Sequence, residues 1–107
     1  MPRRFEREEN RVVVGVLALD LIIAGRQSLK EKRYVLRKII DRIRNKFNVS
    51  IAETGFNDLW QRSGLGVTIV SNDRRVIEST LAQIPRLIDS WGEAQVSGQE
   101  TDVFTFP

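Results

Sequence analysis

The sequence predicts an α+β domain in which four strands and two helices follow the order β-α-β-β-α-β. Three observations support this prediction. A run rich in Val, Leu and Ile fills residues 11–23, two later stretches carry apolar residues at helical spacing, and shorter alternating stretches lie between and after them. With right-handed crossovers, this order gives an antiparallel sheet of strand order 4-1-3-2 with both helices on one face. That architecture is the ferredoxin-like fold.

The first strand is predicted to span residues 11–23, and both of its alternating sets of side chains are largely apolar. A strand that is apolar on both faces is typical of a central position in a sheet. Since the helices cover one face only, the second set, which includes Val14, Val16 and Ala18, needs another partner.

A symmetric dimer, packed sheet to sheet or edge to edge, is the favoured partner for this apolar patch. The alternative is cover from within one chain, by the N-terminal tail or by Phe104 and Phe106.

The first helix follows a turn at residues 25–27 and is the clearest element in the sequence. Ser28 is a good N-cap, and Glu31 completes a Ser-x-x-Glu capping box. The apolar positions that give the helical period are Leu29, Leu36, Ile39, Ile40, Ile43 and Phe47. Asn48 is predicted to end the helix in a left-handed conformation.

Two strands and a loop are predicted between the helices. The second strand covers residues 49–54, a loop covers 55–63, and the third strand covers 64–71. Gly64 and Gly66 are best explained by a close approach of backbones, since a strand and not a helix surrounds them.

The second helix begins at an N-cap offered by Asn72 and Asp73 and ends at Gly92. Pro85 inside it predicts a kink or a weakened final turn. The last strand lies within residues 94–106, most clearly at 102–106, with an interruption at 97–99.

Composition limits the chemistry of the chain. Its 107 residues are 41% hydrophobic and 29% charged, as in a globular domain, and contain neither Cys nor His. Disulfides, thiolate chemistry and the commonest general base are therefore excluded. Asp20, Glu53 and Asp73 lie on separate predicted elements and form no recognisable catalytic or metal-binding set. We expect no enzymatic activity, no cofactor and no metal.

The apolar run at residues 12–24 is interrupted by Asp20 and is too short to span a membrane. Residues 1–10 carry charges of both signs, so we expect a flexible tail and not a signal peptide, followed by one domain over residues 11–107. The expected location is the cytoplasm, without membrane contact.

Charge is distributed unevenly along the chain. Residues 26–46 contain nine basic and two acidic residues, a net charge of +7, whereas the remainder, with eight basic and twelve acidic residues, carries −4. On a helix, four of these cations fall within an arc of roughly 60°. We call this set the basic ridge; its members are Lys30, Arg33, Arg37 and Arg44.

Two interpretations of the basic ridge remain open. Arg and Lys at this spacing are able to meet successive phosphates of a nucleic acid. A solvated face is the alternative, for which Arg37–Asp41 and Asp41–Arg44 have the spacing of intrahelical ion pairs. Lys32 falls on the apolar arc, where we expect its stem to cover the core edge while its ammonium reaches water. Contact of this ammonium with a ligand is the alternative.

Four further residues are candidates for nucleic-acid contact. Trp60 and Arg62 lie in the predicted loop, where Trp60 either stacks on an unpaired base or, as favoured, folds back onto the core. Arg74 and Arg75 at the start of the second helix either contact phosphate or, as favoured, are solvated.

Several segments resemble a known family. The segments VVVGVLALDL, RQSLKEKRYVLRKIIDRIRNKFNVSIAE and DLWQRSGLGVTIVSNDRR, with the helix that follows, are similar to the YlxP-like family, small bacterial proteins classed as a domain of unknown function (DUF 503). SLKEKR and LWQR are the most specific parts, and the resemblance covers about residues 12–91. The departures are the charged extension before it, Pro85 and the tail after Trp91.

The resemblance implies a ferredoxin-like fold. Because the genes of the family typically lie beside those of translation initiation and ribosome-maturation factors, it also suggests RNA binding or ribosome assembly. The sequence thus predicts a non-enzymatic RNA-binding or ribosome-associated module. The alternative is a dimeric domain that binds a protein or a small ligand and has no nucleic-acid role.

Overall fold

The structure is a computed structural model that describes residues 10–25 and 27–106. Its element order confirms the predicted one. The six elements are β1 (Val12–Ile22), α1 (Leu29–Lys46), β2 (Ser50–Gly55), β3 (Arg62–Ser71), α2 (Arg74–Trp91) and β4 (Gln95–Phe106). Most of the predicted N-terminal tail, the turn residue Arg26 and the terminal Pro107 lie outside the described residues.

The four strands form one antiparallel sheet of order β2-β3-β1-β4, which is the predicted order read from the other edge. β1 is central, because it pairs with β3 on one side and β4 on the other. Both helices pack on the same face, α1 over β2 and α2 over the other three strands. The ferredoxin-like prediction is confirmed.

The core lies between this face and the helices. Every second residue of β1, including Leu17, Leu19 and Leu21, is buried there together with Ile43 of α1 and Ile84 of α2. Each such side chain contributes about 1.5–3 kcal/mol through burial. The alternating apolar residues of β1 and the apolar faces of α1 and α2 therefore form one hydrophobic cluster.

The opposite face of the sheet, here called the open face, carries an apolar patch. Val14 pairs with Val70 on one side and Phe104 on the other, and Val12 pairs with Phe106. Phe104 and Phe106 are 43% and 57% exposed. The alternative prediction that these two rings cover the patch is wrong, because they lie beside Val14 in the sheet and enlarge the patch.

The predicted helix boundaries hold with one correction. Ser28 accepts a hydrogen bond from the Glu31 amide at 3.1 Å, and Asp73 and Gly92 (φ 75°) cap α2, which continues through a buried Pro85. The predicted left-handed end at Asn48 is wrong. α1 ends at an extended Phe47 (φ −130°), which packs against the core, and β2 begins after two further residues.

Two strand predictions change. The loop between β2 and β3 covers only residues 56–61, because Arg62 and Ser63 pair with the end of β1. The interruption predicted at residues 97–99 is a β-bulge within a continuous β4: Leu21 pairs with Val96 and Asp20 with Gly98, which leaves Ser97 as the extra residue.

Within the described residues, neither α1 nor α2 combines the length and the apolar character that a membrane-crossing helix requires.

Candidate nucleic-acid interface

The structure places the basic ridge on an exposed flank of α1. Lys30, Arg33 and Arg37 are exposed, and none of them has a hydrogen-bond or ion-pair partner among residues 10–25 and 27–106. Arg44 differs, since its guanidinium donates a hydrogen bond of 3.1 Å to the carbonyl oxygen of Ile51 in the edge strand β2. Three of the four cations are thus free to meet an anion.

The intrahelical pairs that would favour a merely solvated face are not formed. Asp41 is exposed and has no ion-pair partner in the part of the chain that the structure describes, so neither Arg37 nor Arg44 is neutralised by it. An anionic partner that binds the ridge would consequently not have to displace an intrahelical ion pair first.

Two other cations of α1 connect the helices to each other. Lys38 lies 2.7 Å from the carboxylate of Glu93, just after α2, and the guanidinium of Arg42 lies 5.1 Å from the ring centre of Trp91. These contacts lie on the flank of α1 that faces α2. The cations of α1 therefore form two groups: Lys38 and Arg42 contact residues at the end of α2, whereas the basic ridge lies on another flank of the helix.

A shallow open groove follows the ridge. Arg33, Arg37 and Arg44 line it, together with Leu36 and Ile40 of α1 and Glu53 of β2. Glu53 contributes its charge to the Lys32 ion pair described next, so the groove presents an excess of positive charge to solvent.

Lys32 does not expose its ammonium, contrary to the prediction. Its side chain is 1% exposed, and its Nζ lies 3.0 Å from Oε2 of Glu53 and donates to the carbonyl oxygen of Phe56. Ser63 Oγ donates a second hydrogen bond to Glu53, at 2.8 Å. The Glu53 carboxylate and the Phe56 carbonyl oxygen replace water as acceptors, because β2 brings Glu53 onto the same face of the sheet as Ile51.

The loop between β2 and β3, residues 56–61, carries exposed apolar side chains and is here called the aromatic loop. Trp60 is 44% exposed, so the favoured prediction that it folds back onto the core is wrong. The loop lies beyond the end of the sheet, where Gln61 accepts a hydrogen bond of 2.8 Å from the Ile23 amide. Arg62 covers the ring of Phe56 at 4.2 Å from its centre.

The aromatic loop and the N-terminal half of the basic ridge lie at the same end of the molecule. α1 begins where β1 ends, and Arg62 pairs with Ile22 at that end of β1. Lys32 connects the two directly by its bond to Phe56. The structure thus joins Arg62 and Trp60 to Lys30 and Arg33.

Arg74 and Arg75 are not brought to the ridge. They follow the far end of β3, about 30 Å from Arg62 along the strand, and they belong to the other helix. Arg74 pairs with Glu78 at 3.1 Å and Arg75 with Asp73 at 3.2 Å. The hydrogen bonds from Arg75 lower the pKa of Asp73 below its usual 3.8.

The carboxylates singled out in the sequence, Asp20, Glu53 and Asp73, stay on separate elements. No group of three or more potential metal ligands occurs in the portion of the chain that the structure describes. Gly64 has the predicted role, since a Cβ on it would lie 3.1 Å from the backbone nitrogen of Gly55. At Gly66 the close neighbour is a side chain, because a Cβ there would lie 2.9 Å from a Thr54 methyl group.

Sequence reasoning missed two parts of this site. One is the Lys32–Glu53 pair, for which a signal was present, since Lys32 falls on the apolar arc of α1 and Glu53 alternates with the apolar Ile51 on β2. The other is Phe56, whose positive φ of 56° no residue pattern indicates.

Comparisons with known proteins identify relatives in sequence. Residues 14–101 match the model of a family described as "Protein of unknown function (DUF503)". The chain is also 41% identical over 92 residues to a protein of Bacillus subtilis (strain 168) described as "Uncharacterized protein YlxP", covering 86% of this chain and 100% of that protein.

Two solved structures have a similar fold. Protein YJCS has a TM-score of 0.51 at 6% identity over 83% of this chain and 96% of its own. The putative chlorite dismutase TA0507 has a TM-score of 0.52 at 11% identity over 88% of this chain and 44% of its own. At such low identity these two matches show the fold alone.

Proposed function

This chain belongs to the DUF503 family of proteins of unknown function, and we propose that it is a non-enzymatic, cytoplasmic RNA-binding module that acts in ribosome maturation or translation. The observation that carries the proposal is the basic ridge on α1, in which Lys30, Arg33 and Arg37 are exposed and unpartnered within the described residues.

The geometry suits a phosphate backbone. Lys30, Arg33 and Arg37 follow one another at about one helical turn, roughly 5 Å, and Arg44 lies about two turns further on, so that the ridge extends about 21 Å along α1. Contacts of this kind depend on charge and shape and carry little base readout. With three or four phosphates neutralised, the logarithm of the binding constant should fall against the logarithm of salt with a slope of about −2 to −3 for a single strand.

The non-enzymatic part of the proposal rests on composition. The sequence has no His and no Cys, and Asp20, Glu53 and Asp73 are held on different elements. Glu53 is moreover occupied by Lys32 and Ser63.

Fluorescence anisotropy with a labelled RNA, titrated over a range of salt concentrations, tests the proposal. Arg37→Glu should weaken binding roughly tenfold at low salt, as expected for loss of a charged contact. Arg86→Glu is the matched control, because Arg86 is also an exposed helical arginine but lies on α2. Absence of RNA binding at low salt, or an equal loss in both variants, would refute the proposal.

The apolar patch of the open face favours a second candidate function, a homodimeric interaction domain. Val14, Val16, Val70, Phe104 and Phe106 present apolar surface to solvent there, and a patch of this kind typically marks an interface. A second copy of the chain offers the same apolar surface, so a twofold contact buries both patches at once.

Light scattering tests the dimer. The wild-type chain should have the mass of two copies, and Val16→Asp, which places a charge within the patch, should have the mass of one. Ala82→Asp on the exposed side of α2 serves as the control and should remain dimeric. Identical masses for the wild type and Val16→Asp would exclude this interface.

A further inference from the structure

The aromatic loop exposes more apolar surface than a turn requires. Phe56, Leu59 and Trp60 are 38%, 46% and 44% exposed, although large apolar side chains are usually buried. All three lie within five consecutive residues at one end of the sheet. A cluster of this kind indicates a contact surface and not a core that failed to close.

The loop is held in a strained conformation. Phe56 has a φ of 56°, which is unusual for a bulky residue and persists only where surrounding contacts enforce it. The buried Lys32 ammonium binds the Phe56 carbonyl oxygen, the Leu59 amide donates to the same oxygen at 3.1 Å, and Arg62 stacks on the ring. The loop is therefore ordered before any partner arrives, which lowers the entropic cost of binding.

Positive charge adjoins the loop on the side of α1. Lys32, which binds the loop, lies between Lys30 and Arg33 in the first two turns of the helix. Those two cations are exposed and unpartnered in the described chain, and Arg62 adds a third at the loop itself. A ligand that combines flat aromatic groups with regularly spaced negative charge matches this arrangement.

We propose that the aromatic loop is a stacking platform for an unpaired RNA base, with Trp60 as the principal contact, and that the RNA bound by this protein is single-stranded at that point. This inference rests on the proposed RNA-binding function and specifies its substrate. Base faces are hidden in a duplex and accessible only in single strands, loops and ends, where they stack on aromatic side chains. The ridge holds the phosphates while Trp60 receives a base.

The fluorescence of Trp60 provides a direct test. The chain has two tryptophans, so Trp91→Phe leaves Trp60 as the sole reporter. A twelve-nucleotide single-stranded RNA should quench its emission, and the duplex of the same strand with its complement should not. The stacking proposal would be overturned if the single strand and the duplex quenched the emission equally, or if a single strand that binds caused no quenching.

Affinity measurements on variants complete the test. Trp60→Ala should weaken single-strand binding about 5- to 150-fold, the range that stacking of one base supplies, and should leave the salt slope and the duplex affinity unchanged. Trp60→Phe should retain most of the affinity. Val76→Ala is the control and should have no effect, because Val76 is an exposed apolar residue (50%) that lies on α2, away from both the basic ridge and the aromatic loop.

The two proposals fail in different ways. If Arg37→Glu weakens RNA binding and Trp60→Ala does not, the platform is wrong and the RNA-binding function stands. If no RNA binds at low salt, both are wrong. If RNA does not bind but a protein partner protects Trp60 from quenching by acrylamide, the loop contacts protein and the platform is again excluded.

Discussion

The Nζ of Lys32 lies 3.0 Å from Oε2 of Glu53, and this contact joins the first helix to the edge strand β2 below the basic ridge. The two side chains are 1% and 22% exposed, so the pair is largely removed from water. It neutralises the charge that Lys32 places at the edge of the core. Because Glu53 pairs with Lys32, it does not pair with the exposed cations of the ridge.

Lys32→Met should destabilise the fold by about 2–4 kcal/mol, because it leaves the largely buried Glu53 carboxylate without its counter-ion and removes one of the donors to the Phe56 carbonyl oxygen. Urea denaturation followed by circular dichroism measures the change. Lys38→Met is the control: its pair with Glu93 is more exposed, and its loss should cost less than about 1 kcal/mol.

Restoration by a second change tests the same pair. Glu53→Leu in the Lys32→Met background removes the orphaned carboxylate, so it should recover part of the lost stability. An additive loss in the double variant would show that the two side chains do not interact.

Gly15→Ala should destabilise the protein by about 1–3 kcal/mol through overpacking. A Cβ at this position would collide with Ile77 and would lie 2.9 Å from a Leu81 methyl group, where α2 crosses β1. Gly98→Ala is the control in the neighbouring strand, since its Cβ would lie 3.5 Å from Asp20 in ordinary contact. Thermal melting measures both variants, and Gly15→Ala should have the lower melting temperature. Equal melting temperatures would contradict this packing.

Gly92→Ala should cost about 1–2 kcal/mol, because the residue that ends α2 has a φ of 75° and a Cβ is disfavoured there. The space around it is open, so the cost comes from backbone conformation and not from a clash. Gly92→Asn should be tolerated better, since Asn adopts the left-handed conformation more readily. Urea midpoints that rank Ala above Asn would refute this explanation.

Arg75→Ala should raise the pKa of Asp73 towards its usual 3.8, since side-chain and backbone hydrogen bonds from Arg75 are the main causes of its lowering. A lowered folded pKa stabilises the protein above the unfolded value, and this contribution is lost as the pH falls through the folded pKa. The contribution is therefore present in full at neutral pH, and the change of stability with pH that it causes is confined to conditions below about pH 4–5. NMR titration of the Asp73 carboxyl carbon measures it, and an unchanged pKa in the variant would disprove the assignment.

Much of the fold was predictable, because its main signals are local. The alternation in β1, the Ser28 cap and the glycine at the end of α2 each depend on a few neighbouring residues. The errors occurred where a distant element intervened. Ser63 belongs to β3 because it pairs with Leu21, and Phe47 is extended where its side chain packs against the core.

The sequence by itself determined the order of elements, the sheet topology and the position of the basic ridge on one flank of a helix. Only the tertiary structure decided which cations of that helix are free. Four cations of α1 have partners from elsewhere in the chain. Lys32 pairs with Glu53 and Lys38 with Glu93. Arg44 donates to the Ile51 carbonyl oxygen, and Arg42 lies over the Trp91 ring. The periodicity of a segment indicates on which face of the helix or strand a residue lies. The ion-pair or hydrogen-bond partner of that residue depends on contacts between residues far apart in the chain, and these form only when the sheet and helices pack together.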